Sequence, residues 1–281
     1  MSGSKVHSFT PPVSSLLTYG HSDQRFEHGH IPDYCQEFGF TTEHIPELIE
    51  LACLDLTNTD PESLEIWAPV HAWRTLGQLK AEASIEPLIS LFANCEDDDW
   101  LIEEMPEVFG NIGSASIEPL ANYLADPSHY YMAQVIASEC LTEIAQNYPE
   151  TRSQCVEVLT KQLGQFEQND IALNSFLVSG LIELEAVESA PAIEKAFAAD
   201  RIDCMMEGDW DEVQVSLGLK SRDQVPKKDF TPPELKEFLS LLDRNSEPKP
   251  FVTQTANLKK SNSSSKNKMA KKSRQKNRKK K

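Results

Sequence analysis

The chain of 281 residues predicts an all-α fold, an α-solenoid of about five helix pairs. Three observations carry this. The phrase "SIEPLISLF" (84–92) returns as "SIEPLANYL" (116–124). Apolar residues recur at helical spacing in both copies, which puts them on one face of a helix. Further copies follow at intervals of 40, 32, 35 and 38 residues, a spacing proper to helical repeats.

The apolar template is Ile85, Leu88, Ile89, Leu91 and Phe92 in one copy, and Ile117, Leu120, Ala121, Tyr123 and Leu124 in the next. An earlier copy starts at Ile45, with Leu48, Ile49, Leu51 and Ala52. Later ones start at Arg152 (Cys155, Val156, Val158, Leu159) and Ala190 (Ile193, Ala196, Phe197). Pro46, Pro87, Pro119 and Pro191 fall in the first turn, where a missing N–H costs little. Ser84, Ser116 and Ser189 are expected N-caps. A second helix follows each first one. "WAPVHAWRTLGQL" (67–79) and "WLIEEMPEVFGNI" (100–112) align without a gap, matching Trp67 with Trp100 and Gly77 with Gly110. Glycine is a poor helix former, so its repetition at one position implies close approach of neighbouring helices. "MAQVIASECLTEI" and "ALNSFLVSGLIEL" supply the third and fourth members. No such pair buries its apolar face alone, and stacking on the next copy does.

The flanks differ. Residues 1–38, with three prolines and the aromatics Tyr19, Phe26, Tyr34 and Phe38, are expected to cap the array of residues 39–219. Within 220–244, "TPPELKEFLSLLD" carries a capping box, Thr231 and Glu234, and an apolar face of Leu235, Phe238, Leu239 and Leu242. It is expected to be a closing helix on the last repeat. Residues 245–281 hold too little apolar surface to fold and are expected to be a disordered basic tail.

The motifs resemble the HEAT-like repeat superfamily, in the variety named after phycobilisome lyases, over residues 41–219. The resemblance rests on "EHIPELIELA", "WAPVHAWRTLGQLKAEASIEPLISLF", "DDDWLIEEMPEVFGNIG", "SIEPLANYL" and "ESAPAIEKAFAAD". It implies helix pairs whose second helices line a concave surface. Such repeats serve as scaffolds, chaperones and lyases, so fold alone does not assign the task. Related di-iron hydroxylases carry His-Glu pairs on successive repeats. This chain has only the reversed pairs Glu27-His28 and Glu43-His44.

Charge narrows the function. Of 27 basic residues, twelve lie between Lys259 and Lys281, where no Asp or Glu occurs. The other 15 face all 44 acidic residues, so the chain before residue 259 carries close to −29. A body this acidic does not suit a phosphate-binding groove. The tail has no aromatic residue for base stacking, so its expected binding to RNA or an anionic surface is weak and non-specific. The six cysteines form no CxxC or CxC pair and read as buried thiols, so no metal site and no cofactor are expected. "CEDDDWLIEE" lacks the glycine and alternating ligands of a calcium loop and reads as a charged helix start. No GxSxG, P-loop or GxGxxG occurs, and no catalytic set is expected. The first residues contain no apolar leader and no run is long enough to span a bilayer, so a soluble cytoplasmic protein is expected.

On the first of these second helices, the B helices of the pairs, Pro69, Ala72, Trp73, Leu76 and Leu79 share the core face. Trp67, His71, Arg74 and Gln78 point the other way. On the second, Trp100, Glu103 and Glu107 lie across from Met105, Phe109 and Ile112, with Glu104 alongside; later helices add Glu139 and Glu183. The expected site is an acidic, aromatic groove of Trp67, His71, Arg74, Trp100, Glu103, Glu107 and Glu139, and the expected partner is a basic segment of another protein. The alternative, implied by the resemblance, is a lyase or chaperone for a bilin-bearing protein.

Overall fold

The computed structural model describes residues 8–21, 31–56, 59–60, 62–96, 98–226, 228, 230 and 236. Among them every regular element is an α-helix or a 3₁₀ turn, and no strand occurs. The chain divides into two units, Met1–Lys228 and Asp229–Lys281, and the described helices belong to the first. The expected closing helix and basic tail lie outside the described residues, except Lys236.

Five helices begin where the repeated phrase begins: α2 (Ile45–Ala52), α4 (Ile85–Ser90), α6 (Ile117–Ala125), α8 (Arg152–Leu163) and α10 (Ala190–Ala198). A three-residue 3₁₀ turn precedes each of them. The expected serine caps take another role. Ser84, Ser116 and Ser189 already have helical backbone angles and make no capping bond. Ser84 Oγ instead donates to Ala81 O at 2.7 Å, and Ser189 Oγ pairs with Thr160 Oγ1 at 2.6 Å. At Ser84 the tight turn redirects the hydroxyl from the helix N–H groups to an earlier carbonyl, while the Ser116 hydroxyl is buried and finds no partner among the described residues.

Between these lie α3 (Ala68–Gln78), α5 (Asp99–Ile112), α7 (Tyr131–Asn147), α9 (Ile171–Glu183) and the short α11 (Cys204–Glu207). α12 (Trp210–Ser216) follows, and α1 (Tyr34–Phe38) precedes them all. Packing follows chain order. α3 packs on α5, α5 on α7, α7 on α9 and α9 on α11. In the other row α4 packs on α6, α6 on α8 and α8 on α10. Within pairs, α2 packs on α3, α6 on α7, α8 on α9 and α10 on α12.

The core runs between the rows. Leu48, Leu88, Leu120, Leu159 and Ile193 are fully buried, as are Leu76, Phe109, Leu141 and Leu181 from the facing helices. The repeated glycines explain how closely the helices approach. A Cβ on Gly77 would lie 3.2 Å from Val108 O and 3.3 Å from Val108 Cα, both backbone. A Cβ on Gly110 would lie 2.5 Å from Glu143 Cγ. Of the six cysteines, all free thiols, Cys95, Cys140 and Cys155 are buried and Cys53 is exposed. No described helix is long and apolar enough to cross a membrane.

Leu88 and Leu120 stand at the same repeat position on adjacent helices, and both are fully buried. Leu88→Ala and Leu120→Ala should each cost about 2–5 kcal/mol, from lost burial and the cavity left behind. Urea unfolding measures this, and a loss below about 1 kcal/mol at both positions contradicts the packing described.

Candidate functional site

The outward side of α3 was expected to line an open groove. It is covered instead. Trp67 is 6% exposed, His71 0% and Arg74 4%. The cover is the N-terminal segment: a 3₁₀ turn at Val13–Thr18 and α1 both pack against α3. Val13, Leu16 and Tyr34 are fully buried there.

A chain of polar contacts fixes this cover. The Gly20 carbonyl can only accept, so His71 Nε2 carries the hydrogen and donates to it at 3.0 Å. His71 Nδ1 then accepts from Tyr34 Oη–H at 2.7 Å. Tyr34 Oη in turn accepts a long bond from Arg74 Nη1 at 3.4 Å. Arg74 closes the chain with a two-pronged ion pair to Glu104 on α5, through Nε at 2.8 Å and Nη2 at 2.7 Å. Aromatic rings surround the chain: Tyr19 meets His71 edge-on at 5.1 Å, His21 lies 3.9 Å from Trp67, and Trp67 meets Trp100 edge-on at 5.3 Å. Burial lowers the His71 pKa to about 4, helped by the charge on Arg74 and opposed by the Gly20 bond. Burial raises the Tyr34 hydroxyl, with Arg74 opposing. Burial also disfavours charge on Arg74, but the Glu104 carboxylate outweighs it and keeps the guanidinium charged.

One turn further along α3, Gln78 clamps the same segment. Its Nε2 donates to Pro32 O at 2.7 Å, and its Oε1 accepts from Tyr34 N–H at 2.9 Å. The covered part of the expected groove therefore holds a stretch of the chain's own backbone.

The part that the described residues leave open lies between α5 and α7. An open pocket of about 380 Å³ is lined by Glu103, Pro106, Glu107, Asn111, Glu143 and Asn147. Pro106 sits inside α5, where its missing N–H removes one rung of the helix ladder. Glu103 is exposed, while Glu107, Glu139 and Trp100 are half-buried. Burial raises the Glu143 pKa, the negative charges of Glu107 and Glu183 raise it further, and a hydrogen bond from Asn147 opposes them. Gln146 Nε2 donates to Glu183 at 3.1 Å, carrying the polar surface on to α9.

The expected site thus divides. Glu103 and Glu107 share the pocket; Trp67, His71 and Arg74 lie under the N-terminal segment. Glu139 and Trp100 are not among the pocket's lining residues. Sequence reasoning put Tyr34 in the N-terminal cap but missed its bonds to His71 and Arg74, the pairing of Glu104, and the pocket residues Glu143, Asn111 and Asn147. Asn111 was open to inference, because it aligns with Gln78 in the gapless match. Among the described residues no group of three or more His, Cys, Asp or Glu side chains is placed to hold a metal. No family model, curated protein or solved structure matches the chain.

His71 makes the cover sensitive to acid. Its folded pKa is about 4, against about 6.5 for a free histidine. Between these values the unfolded chain binds a proton that the folded chain does not. Stability is therefore full above pH 6.5 and falls as pH drops toward 4, by about 3 kcal/mol at most. His71→Gln keeps a donor and an acceptor but cannot titrate. Urea unfolding at pH 7 and pH 4.5 should show a smaller pH-dependent loss for the variant than for the wild type; equal losses contradict the assignment.

Proposed function

We propose that this chain is a non-catalytic scaffold that holds a basic segment of another protein against the pocket between α5 and α7. The observation that carries this reading is the pocket's lining. Glu103, Glu107 and Glu143 come from two helices into one open volume, and Glu143 is crowded by like charge. A lysine or arginine entering there relieves that crowding. The strongly acidic composition before residue 259 adds a longer-range attraction that steers cationic partners.

In this reading the described helices belong to an α-solenoid of HEAT-like repeats. Chain-order packing of two helix rows supports it, together with the five repeat starts. The protein acts in the cytoplasm, and its groove is interrupted at the first repeat by the N-terminal segment. The alternative, a lyase or chaperone for a bilin-bearing protein, draws on the sequence resemblance and on no side-chain arrangement of the pocket.

Glu103→Lys with Glu107→Lys should weaken binding of a fluorescent lysine-rich peptide by at least roughly 10-fold, about 1.4 kcal/mol. Both residues lie on the outward side of α5, so the circular dichroism spectrum should not change. Anisotropy titration decides it: undiminished binding by a folded double variant rejects the pocket as the binding surface.

The tail adds a second, weaker interaction. Its twelve cations attract polyanions, while the acidic remainder repels them. Filter binding with single-stranded RNA should show weak retention that moderate salt removes. Deleting residues 259–281 should abolish it; retention after the deletion would move RNA binding to the folded body.

A further inference from the structure

The pocket between α5 and α7 has an occupied counterpart on α3. There the Gln78 side chain bonds to Pro32 O and Tyr34 N–H at once. A primary amide carries a donor and an acceptor side by side, which matches the C=O and N–H of a nearby stretch of chain. Asp33, between the two bonded residues, has extended backbone angles, φ −80° and ψ 90°. Gln78 thus holds extended backbone by its main chain, beside the side-chain contacts that Tyr34 makes.

Asn111 occupies the Gln78 position in the gapless alignment of residues 67–79 with 100–112. It lines the pocket, as does Asn147 from α7. Gly110 brings them together: a Cβ there would lie 2.8 Å from Asn147 Nδ2. Asn111 Nδ2 donates to Glu107 O at 2.9 Å, which uses one of the two hydrogens an amide nitrogen carries. Asn147 Nδ2 makes a long contact of 3.4 Å with Glu143 Oε1.

We infer that the pocket binds its basic partner as an extended strand, whose backbone is held by Asn111 and Asn147 as Gln78 holds residues 32–34. This rests on the scaffold reading above and adds the ligand's conformation and the groups that read it. Glu103, Glu107 and Glu143 take the cationic side chains, and the two amides take the main chain. The ligand class is an unfolded, lysine- or arginine-rich protein segment, not a folded basic surface and not a polyamine.

The test uses the full chain and three probes: a short labelled peptide alternating Lys and Ser, the same peptide methylated at alternate backbone nitrogens, and spermine. Methylation leaves the charge unchanged and removes N–H donors. The methylated peptide should bind roughly 10-fold more weakly, the scale of one or two lost hydrogen bonds. Spermine should displace the labelled peptide only at much higher concentration. Asn111→Asp should weaken the peptide despite adding a negative charge, because the amide donor is gone. Equal affinity of the methylated peptide, or tighter binding by Asn111→Asp, overturns the backbone reading and leaves charge-based capture standing. Failure of the unmodified peptide to bind the wild-type chain overturns both.

Discussion

The buried ion pair between Arg74 and Glu104 is the contact on which the rest of the described structure turns. Both side chains are almost wholly removed from water. Burying a charge is costly, and only good geometry with further hydrogen bonds offsets it. The two-pronged guanidinium contact supplies the geometry. Tyr34 supplies the further bond, and so draws the N-terminal segment over α3. His71 completes the chain by reaching the Gly20 carbonyl. One ionic contact thus ties together α3, α5 and the segment that covers α3. Removing either partner would strand the other charge in an apolar interior, the expensive outcome for a pair of this kind.

That constraint also divides the outward side of the second helix row. On α3 the positions that an open groove would use are filled by the chain itself. Between α5 and α7 two of the corresponding positions, Glu107 and Asn111, line an open, polar pocket. Glycines at matching positions set both distances. Gly77 lets α3 approach the α5 backbone, and Gly110 lets α5 approach the side chains of α7. A larger residue at either would separate the helices and disperse the groups that meet there. The N-terminal segment is gripped by its main chain, through the Gln78 amide on the helix.

Much of this was legible in the sequence. The five repeat starts were readable because apolar periodicity and first-turn prolines are local signals, and tertiary packing reinforces them. Gly77 and Gly110 announced close approach because glycine in a helix demands a reason. The serines misled, since a cap and a 3₁₀ turn favour the same residue type. His71 and Arg74 were placed correctly on the helix face but wrongly in solvent. Helical periodicity says which way a side chain points, not what folds back over it. The cover comes from residues 8–21 and 31–38, which carry no repeat and only short helical turns. Tyr34 could not be paired with His71 for the same reason, because their contact crosses 37 positions with no pattern connecting them. Glu143 was hidden by the third B helix, which buries Gln134, Ser138 and Thr142 among its apolar residues and so blurs the boundary between faces.

The central claim is that the surface formed by α5 and α7 takes an extended basic segment. Amide hydrogen exchange, with and without a lysine-rich peptide, tests it most directly on the intact chain. The account predicts slower exchange within residues 103–112 and 139–148 on peptide addition, with residues 190–217 unchanged. Protection confined to other helices, or no protection at peptide concentrations that saturate binding, would contradict it.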